Sequence, residues 1–575
     1  MNIAFIPIDN RPVCYTLPEQ VCAINSSINL FMPERKYLGS LTKYADVDKI
    51  FEWLEKIPQV DAIVMCLDTV AYGGLISSRR CPDTFDEIKN RVENLKSILE
   101  KKNAKIYAFS SIMRISNNNV NEEEKEYLDK WGKKIFDYSY QTHKLGTESC
   151  ISNIIPSEIL DDYLATRKRN FEINKLYLEY QKQGLFDTLV FSKDDCAEYG
   201  FNVQEAQVLE KLGGFIKTGA DEIPLTLLAR AVVKFFDARM QRCKDVKSFT
   251  DTVITRSDER RSNPIQLEND EIATLNARND NSKIVGRDYC LDDETSLKIS
   301  PIFLAPEYKD LISNYEDVSI EKSVKGQLEL AGCKVCEPDE ADILLYVNNF
   351  EDHQGEIVMK VPTKPFSKKW QRPEKPYMIA DVRYANGADN EFVKQLFEVG
   401  LGDNFYGYSA WNTSANSLGS LICGAVVKFF DAETQRCKDA KSFTEPVAQS
   451  RHCECERSNP VKLNTVITRS DERRSNPIQF NNDENACNVN SKAVGQNYYP
   501  DNKNFLKLQT IRFLDDWAYQ ANVRQELNSP DEKLVKEKMK PYEKMVFGLL
   551  GVAYNISYKF TWNRLFEVEI CILSN

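Results

Sequence analysis

Histidine is scarce. The chain has 575 residues and three histidines, His143, His353 and His452. A His-rich metal centre or a Ser-His-Asp triad therefore has few places to come from. Any chemistry falls to carboxylates, lysine, arginine or tyrosine. Long apolar runs are also lacking. None approaches the roughly 20 residues of a membrane span, and the nearest, Met545 to Ile556, is too short. The opening MNIAFIPIDNRP has no basic segment, and Asp9 and Arg11 follow its short apolar run at once, so a signal peptide is not expected. Positive charge is in deficit. The formal net charge is -11, with no basic stripe and interleaved aromatics, which argues against nucleic acid as a partner. Sixteen cysteines are mostly isolated, and only Cys333 and Cys336 have a CxxC spacing with no second pair at zinc-ribbon distance. Reduced thiols in a cytoplasmic protein are the expectation, with no membrane partner and no obligatory cofactor.

What is present is ordinary for a globular protein: 42% hydrophobic and 28% charged residues. Less ordinary is a polar repeat. VITRSDERRSNPIQ is identical at 253–266 and 466–479, AVVKFFDA recurs at 231–238 and 425–432, and QRCKDVKSFT (241–250) matches QRCKDAKSFT (435–444). The copies are too few and too far apart to stack as a solenoid, and neither has a hydrophobic set able to form a core. They look like translated copies of an interspersed DNA repeat. The reading is of two disordered surface insertions, 235–295 and 430–502. They separate a first α/β segment (1–234), a second (296–429) and a C-terminal helical region with a closing strand (503–575).

Outside the insertions, short apolar runs alternate with amphipathic helical patterns. Strands are expected at Ile3–Ile8, Asn29–Met32, Ala62–Leu67, Lys105–Met113, Thr188–Phe191, Phe215–Lys217, Lys298–Leu304, Ile343–Val347, Met378–Ala380 and Tyr406–Tyr408. Helices are expected between them, among others at 121–136 and 507–526. Such alternation implies parallel sheet covered by helices. The first choice is a (β/α)8-barrel-like core with added α/β elements; the alternative is two doubly wound α/β domains.

Polar residues cluster at the carboxyl ends of these strands, where parallel α/β folds place their sites. Asp9 and Arg11 follow the first strand, Asp68 the third, Arg114 the fourth and Lys193, Asp194 and Asp195 the fifth. Asp221 and Glu222 follow the sixth, and Asp381, Trp411 and Asn412 come later. Two neighbouring carboxyls cannot both ionise freely, so one can act as acid while the other is a base or charge stabiliser. Lys193 and Glu198 stand near enough in sequence to tune them. The bland alternatives are an Asp-Asp turn capping the helix near Val203, acids favoured at a helix start for 221–222, and a core tryptophan at 411.

The motifs IPIDNRP, DTVAYGGLISSR, SIMRISN, VFSKDDCAEYGF, GADEIPLTLLAR, IADVRYANGAD, AWNTSANSLG and TWNRLFEVE together resemble the bacterial family of domain of unknown function 4127, over nearly the whole chain outside the insertions. The second insertion departs from the family pattern, splitting the helix after AWNTSANSLG. The strand-end DD with a later aromatic-Asn turn is also similar to retaining N-acetylhexosaminidases. That likeness implies that Asp194 orients the substrate's acetamido group and Asp195 serves as general acid and base. The resulting expectation is a glycoside hydrolase acting on a small sugar or amino sugar. Its rivals are a divalent-metal hydrolase or isomerase using Asp194, Asp195, Asp221 and Asp381, and a non-catalytic sugar-binding or impaired protein.

Overall fold

The computed structural model describes residues 1–258, 297–442 and 502–573, with the side chains of 241–258 and 437–442 left aside. The chain divides into two units. One comprises Met1–Ala432 with Tyr499–Asn575, and the other is Glu433–Tyr498. Most of both expected insertions lies outside the described residues. Of the first, the helix Ile223–Asp258 occupies the initial part. Of the second, only the end of the helix Ser414–Ser442 is described.

Fifteen strands are described, the first six being β1 (Asn2–Ile6), β2 (Asn29–Phe31), β3 (Ala62–Cys66), β4 (Lys105–Ile112), β5 (Thr188–Lys193) and β6 (Phe215–Thr218). Then come β7 (Lys298–Phe303), β8 (Lys334–Val335), β9 (Ile343–Asn348), β10 (Gly355–Glu356), β11 (Tyr377–Asp381), β12 (Tyr384–Ala385), β13 (Phe405–Ser409), β14 (Asn555–Phe560) and β15 (Val568–Leu573). All ten strands expected from the sequence are present. Two parallel sheets hold most of them: β2-β1-β3-β4-β5-β6 and β13-β11-β9-β7-β8. Counted within its own sheet, the first runs 2-1-3-4-5-6 and the second 2-1-3-4-5. Among the described residues no pairing joins the two edges of either sheet.

The central strands are apolar along their whole length because helices cover both faces. Every residue of β3 is buried, as is all of β4 beyond Lys105. Helix starts carry their chemical signals. Thr84 and Glu87 form a capping box at the head of Phe85–Leu99, and the Asp46 carboxylate accepts from Lys49 N at the head of Val47–Lys56. No helix among the described residues is long and apolar enough to cross a membrane.

Two helical expectations shift. The helix expected over 121–136 runs instead over Leu128–Leu145. The preceding stretch is held as a loop, because Arg80 donates to the carbonyls of Asn121 (3.2 Å) and Glu124 (3.0 Å) and Arg114 to the Glu123 and Glu124 carboxylates. The helix expected over 507–526 begins at Lys503, and from Phe513 to Asn522 it widens to π geometry. There Asp516 accepts from Arg512 Nη2 (2.9 Å) and from Ala410 N (2.7 Å). The C-terminal region also closes with an antiparallel hairpin, β14 with β15, rather than with one strand.

Candidate functional site

The carboxyl ends of the six-stranded sheet open onto a cavity of about 360 Å³. From that sheet come Arg11 after β1, Arg114 after β4, Asp194 and Asp195 after β5, and Asp221 after β6. From the second sheet come Asn412 and Thr413 after β13, and Asn386 follows β12 of the small β10–β12 pair. The β14–β15 turn adds Arg564 and Phe566, and Arg524 comes from the end of the C-terminal helical segment. Strand ends from both parallel sheets thus share one hollow, and the closing hairpin brings Arg564 and Phe566 to it from more than 500 positions after Arg11.

Asp194 and Asp195 form the floor. The helix that follows them, Phe201–Lys211, starts from Gly200 without any side-chain cap, so capping does not explain the pair. Asp195 has φ 48°, in the left-handed region that a non-glycine residue adopts only when its surroundings enforce it. Ser116 Oγ donates to its carboxylate at 2.9 Å, and Arg114 Nη1 lies 3.2 Å away. Among the described residues no cation lies within 4.0 Å of Asp194. Removal from bulk water pushes its carboxyl up to about 7, with the negative charge of Asp195 adding to the shift and Arg114 opposing it.

Arg11 is the centre of the adjoining wall. Its Nε donates to both Asp9 oxygens, at 3.0 and 2.9 Å. Its Nη2 donates to Asp221 at 2.6 Å and its Nη1 to Glu567 at 3.2 Å. The indole of Trp562 lies 5.3 Å from the guanidinium carbon. One cation thus faces three carboxyls, and burial, reinforced by Asp221 and Asp9, pushes Glu567 up to about 8. A second network joins Arg79, Arg114 and Arg564 through Glu123 and Glu124. Arg79 Nη1 is 2.5 Å from Glu124, Arg114 Nη2 is 2.9 Å from Glu123, and Arg564 Nη1 is 2.7 Å from Glu123. Three surrounding arginines hold the Glu123 carboxyl far below the usual range despite its burial.

Of the residues proposed from sequence, Arg11, Arg114, Asp194, Asp195, Asp221 and Asn412 line the cavity. The others stand elsewhere, each for a visible reason. Asp9 is behind Arg11 as its bidentate partner, 3% exposed. Asp68 is buried beneath β4, accepting from Ser111 N (2.8 Å) and Ser111 Oγ (3.0 Å). Lys193 pairs with Asp317 and borders a different cavity. Glu198 is exposed, 3.5 Å from the Tyr140 hydroxyl. Glu222 is buried and accepts from Ser420 N at 2.7 Å. Asp381 is buried in the second sheet, accepting from Asp389 N, Asn348 Nδ2 and the Tyr408 hydroxyl. Trp411 is a core residue, 6.0 Å from the Phe566 ring, in keeping with the bland reading of that turn.

Glu123, Arg524, Arg564, Phe566 and Glu567 were not among the site residues expected from the sequence. TWNRLFEVE did carry a signal: a Trp, an Arg and a Glu packed into a short closing segment. Among the described residues no three His, Cys, Asp or Glu side chains are grouped to hold a metal ion.

Fold and site together define a mixed α/β protein of two parallel sheets with a charged cavity at their carboxyl edges. The chain belongs to the family described as "Protein of unknown function (DUF4127)", whose model matches residues 3–571. No curated protein and no solved structure matches it.

Proposed function

We propose that the two sheets are doubly wound halves and that their shared cavity is the active site of a glycoside hydrolase acting on a small sugar. The observation that carries this reading is the contrast between two adjacent carboxyls. Asp194, raised to about 7, keeps a proton to give near neutrality, while Asp195 is paired with Arg114 and Ser116. General acid catalysis of glycosidic cleavage needs the first, and an oxocarbenium-like transition state is stabilised by the second. These roles are the reverse of those implied by the hexosaminidase likeness. Asp194 protonates the leaving oxygen, Asp195 supplies negative charge beneath the sugar ring, and water then adds to the anomeric carbon and returns its proton to Asp194. Asp221, held by Arg11, and Asn412 offer hydrogen bonds to hydroxyls.

A panel of aryl glycosides tests the reading. Turnover of at least one member, unaffected by chelator and lost in Asp194→Asn and in Asp195→Asn with the fold intact, is the expected outcome. Hydrolysis that persists in Asp194→Asn at leaving groups needing protonation would remove Asp194 as the acid. Binding without turnover across the panel would favour a sugar-binding protein. Turnover restored by one metal after chelation would favour a metal hydrolase.

A further inference from the structure

The chemistry above leaves one wall of the cavity without a role: Arg524, Arg564 and Phe566. Two of the other three cavity arginines have every nitrogen engaged, whereas Arg79 binds Glu123 and Glu124 through Nη1. Arg11 places all three nitrogens on side chains, those of Asp9, Asp221, Glu567 and Cys14. Arg114 does the same with Glu124, Glu123 and Asp195. Both are spent.

Arg524 is not. Its side chain makes one hydrogen bond, Nη1 to the neutral Oε1 of Gln520 at 2.8 Å, and among the described residues no carboxylate lies within 4.0 Å. Arg564 uses Nη1 on Glu123, while its Nη2 is buried with no partner. The two guanidinium carbons sit 5.4 and 5.3 Å from the same ring, that of Phe566. Like charges gathered on one aromatic, with donors left over, cost stability unless an anion meets them. Burial lowers the pKa of Arg524; Tyr519, Glu356 and Asp515 oppose the shift, and Arg564 adds a smaller part to it. An oxyanion in the cavity that both line gives these donors a partner. The guanidinium fork matches carboxylate, phosphate and sulfate oxygens in geometry.

We propose that Arg524 and Arg564 form an anion subsite, so that the sugar bound in this cavity carries an oxyanion. The word "sugar" rests on the hydrolase reading, and the anion rests on the arginines alone. The neutral rim beside it, Asn386, Asn412 and Thr413, is suited to hydroxyl groups.

Calorimetry on the full chain at low salt compares glucuronic acid, glucose 6-phosphate and glucose 6-sulfate with glucose. Inorganic phosphate and sulfate serve as minimal probes. At least one anionic sugar is expected to bind roughly tenfold or more tightly than glucose, and to lose that margin in Arg524→Gln. The preferred member identifies the anion. Arg564→Gln also removes one of the arginines around Glu123, so it is read beside Arg564→Lys and with melting temperatures, and Arg524→Gln decides. Equal affinity for glucose, no change in Arg524→Gln, or no binding of any anion at millimolar concentration would overturn the subsite. An anionic sugar that binds through Arg524 while its aryl glycoside stays intact leaves the subsite standing and removes the hydrolase. Asp194-dependent cleavage of neutral and anionic glycosides at equal rates does the reverse.

Discussion

Asp194 controls the pH behaviour of the proposed reaction. Its carboxyl is raised to about 7 by burial and by Asp195, so the donating form prevails below that value. The rate should be level on the acid side of neutrality and fall about tenfold per pH unit above it. A pH profile of kcat on an aryl glycoside measures this, and a rise through the same range would contradict the acid role. Arg11 makes a second prediction at this scale. It is the cation in contact with Asp9, Asp221 and Glu567, and its side chain is 4% exposed. Arg11→Ala leaves three buried carboxyls without that cation. Breaking such a network by removing one partner typically costs about 3–5 kcal/mol. Denaturant unfolding is the check. Arg11→Lys recovers only part of this, because one ammonium cannot reach Asp9, Asp221 and Glu567 as the three guanidinium nitrogens do.

At the scale of elements, two helices that begin beside the cavity are fitted tightly to each other. A Cβ on Gly419, in the helix Ser414–Ser442, would lie 2.5 Å from the carbonyl oxygen of Glu222, just ahead of the helix Ile223–Asp258. Ser420 N donates to the Glu222 carboxylate, and Asn416 Oδ1 accepts from Ala220 N at 3.1 Å. Gly419→Ala should therefore destabilise by about 1–3 kcal/mol through overpacking, and it should lower activity by separating Asp221 from Asn412. Thermal melting and kinetics together distinguish this from a loss of stability alone. These same elements explain what was readable beforehand. The strands were legible because apolar runs closed by Asp, Asn or Arg mark the ends of buried parallel strands, and Arg11, Asp194 and Asp221 followed from that rule. Arg524 and Arg564 were not legible, because they come from a helical end and a hairpin turn, where an exposed arginine and a cavity arginine read alike. Trp411 misled for a related reason. Sequence position gives the strand end but not the face, and its ring turned inward to Phe566.

The whole molecule stores many protons. Burial raises Asp68 to about 6 and Glu222, Glu316 and Asp381 to about 7. Each has a native value above its unfolded value near 4, so between the two the native state binds more protons than the unfolded one. Their stability contribution is full below pH 4 and is lost as pH rises through 6 to 7. Lys428, lowered to about 7 by burial, acts in the opposite sense only above that value. The melting temperature should therefore fall between pH 5 and pH 7 at constant ionic strength. A rise over that interval would show that these carboxyls ionise on folding.

The bond between Arg11 and Glu567 spans 556 residues of chain. A ribosome adding about 5–20 residues per second needs roughly half a minute to two minutes to travel from one to the other. Throughout that interval the nascent first half already carries Arg11, Asp9 and Asp221 but not the acid that completes their wall. Competence for the proposed chemistry should then arrive late in synthesis and abruptly, when the final hairpin docks.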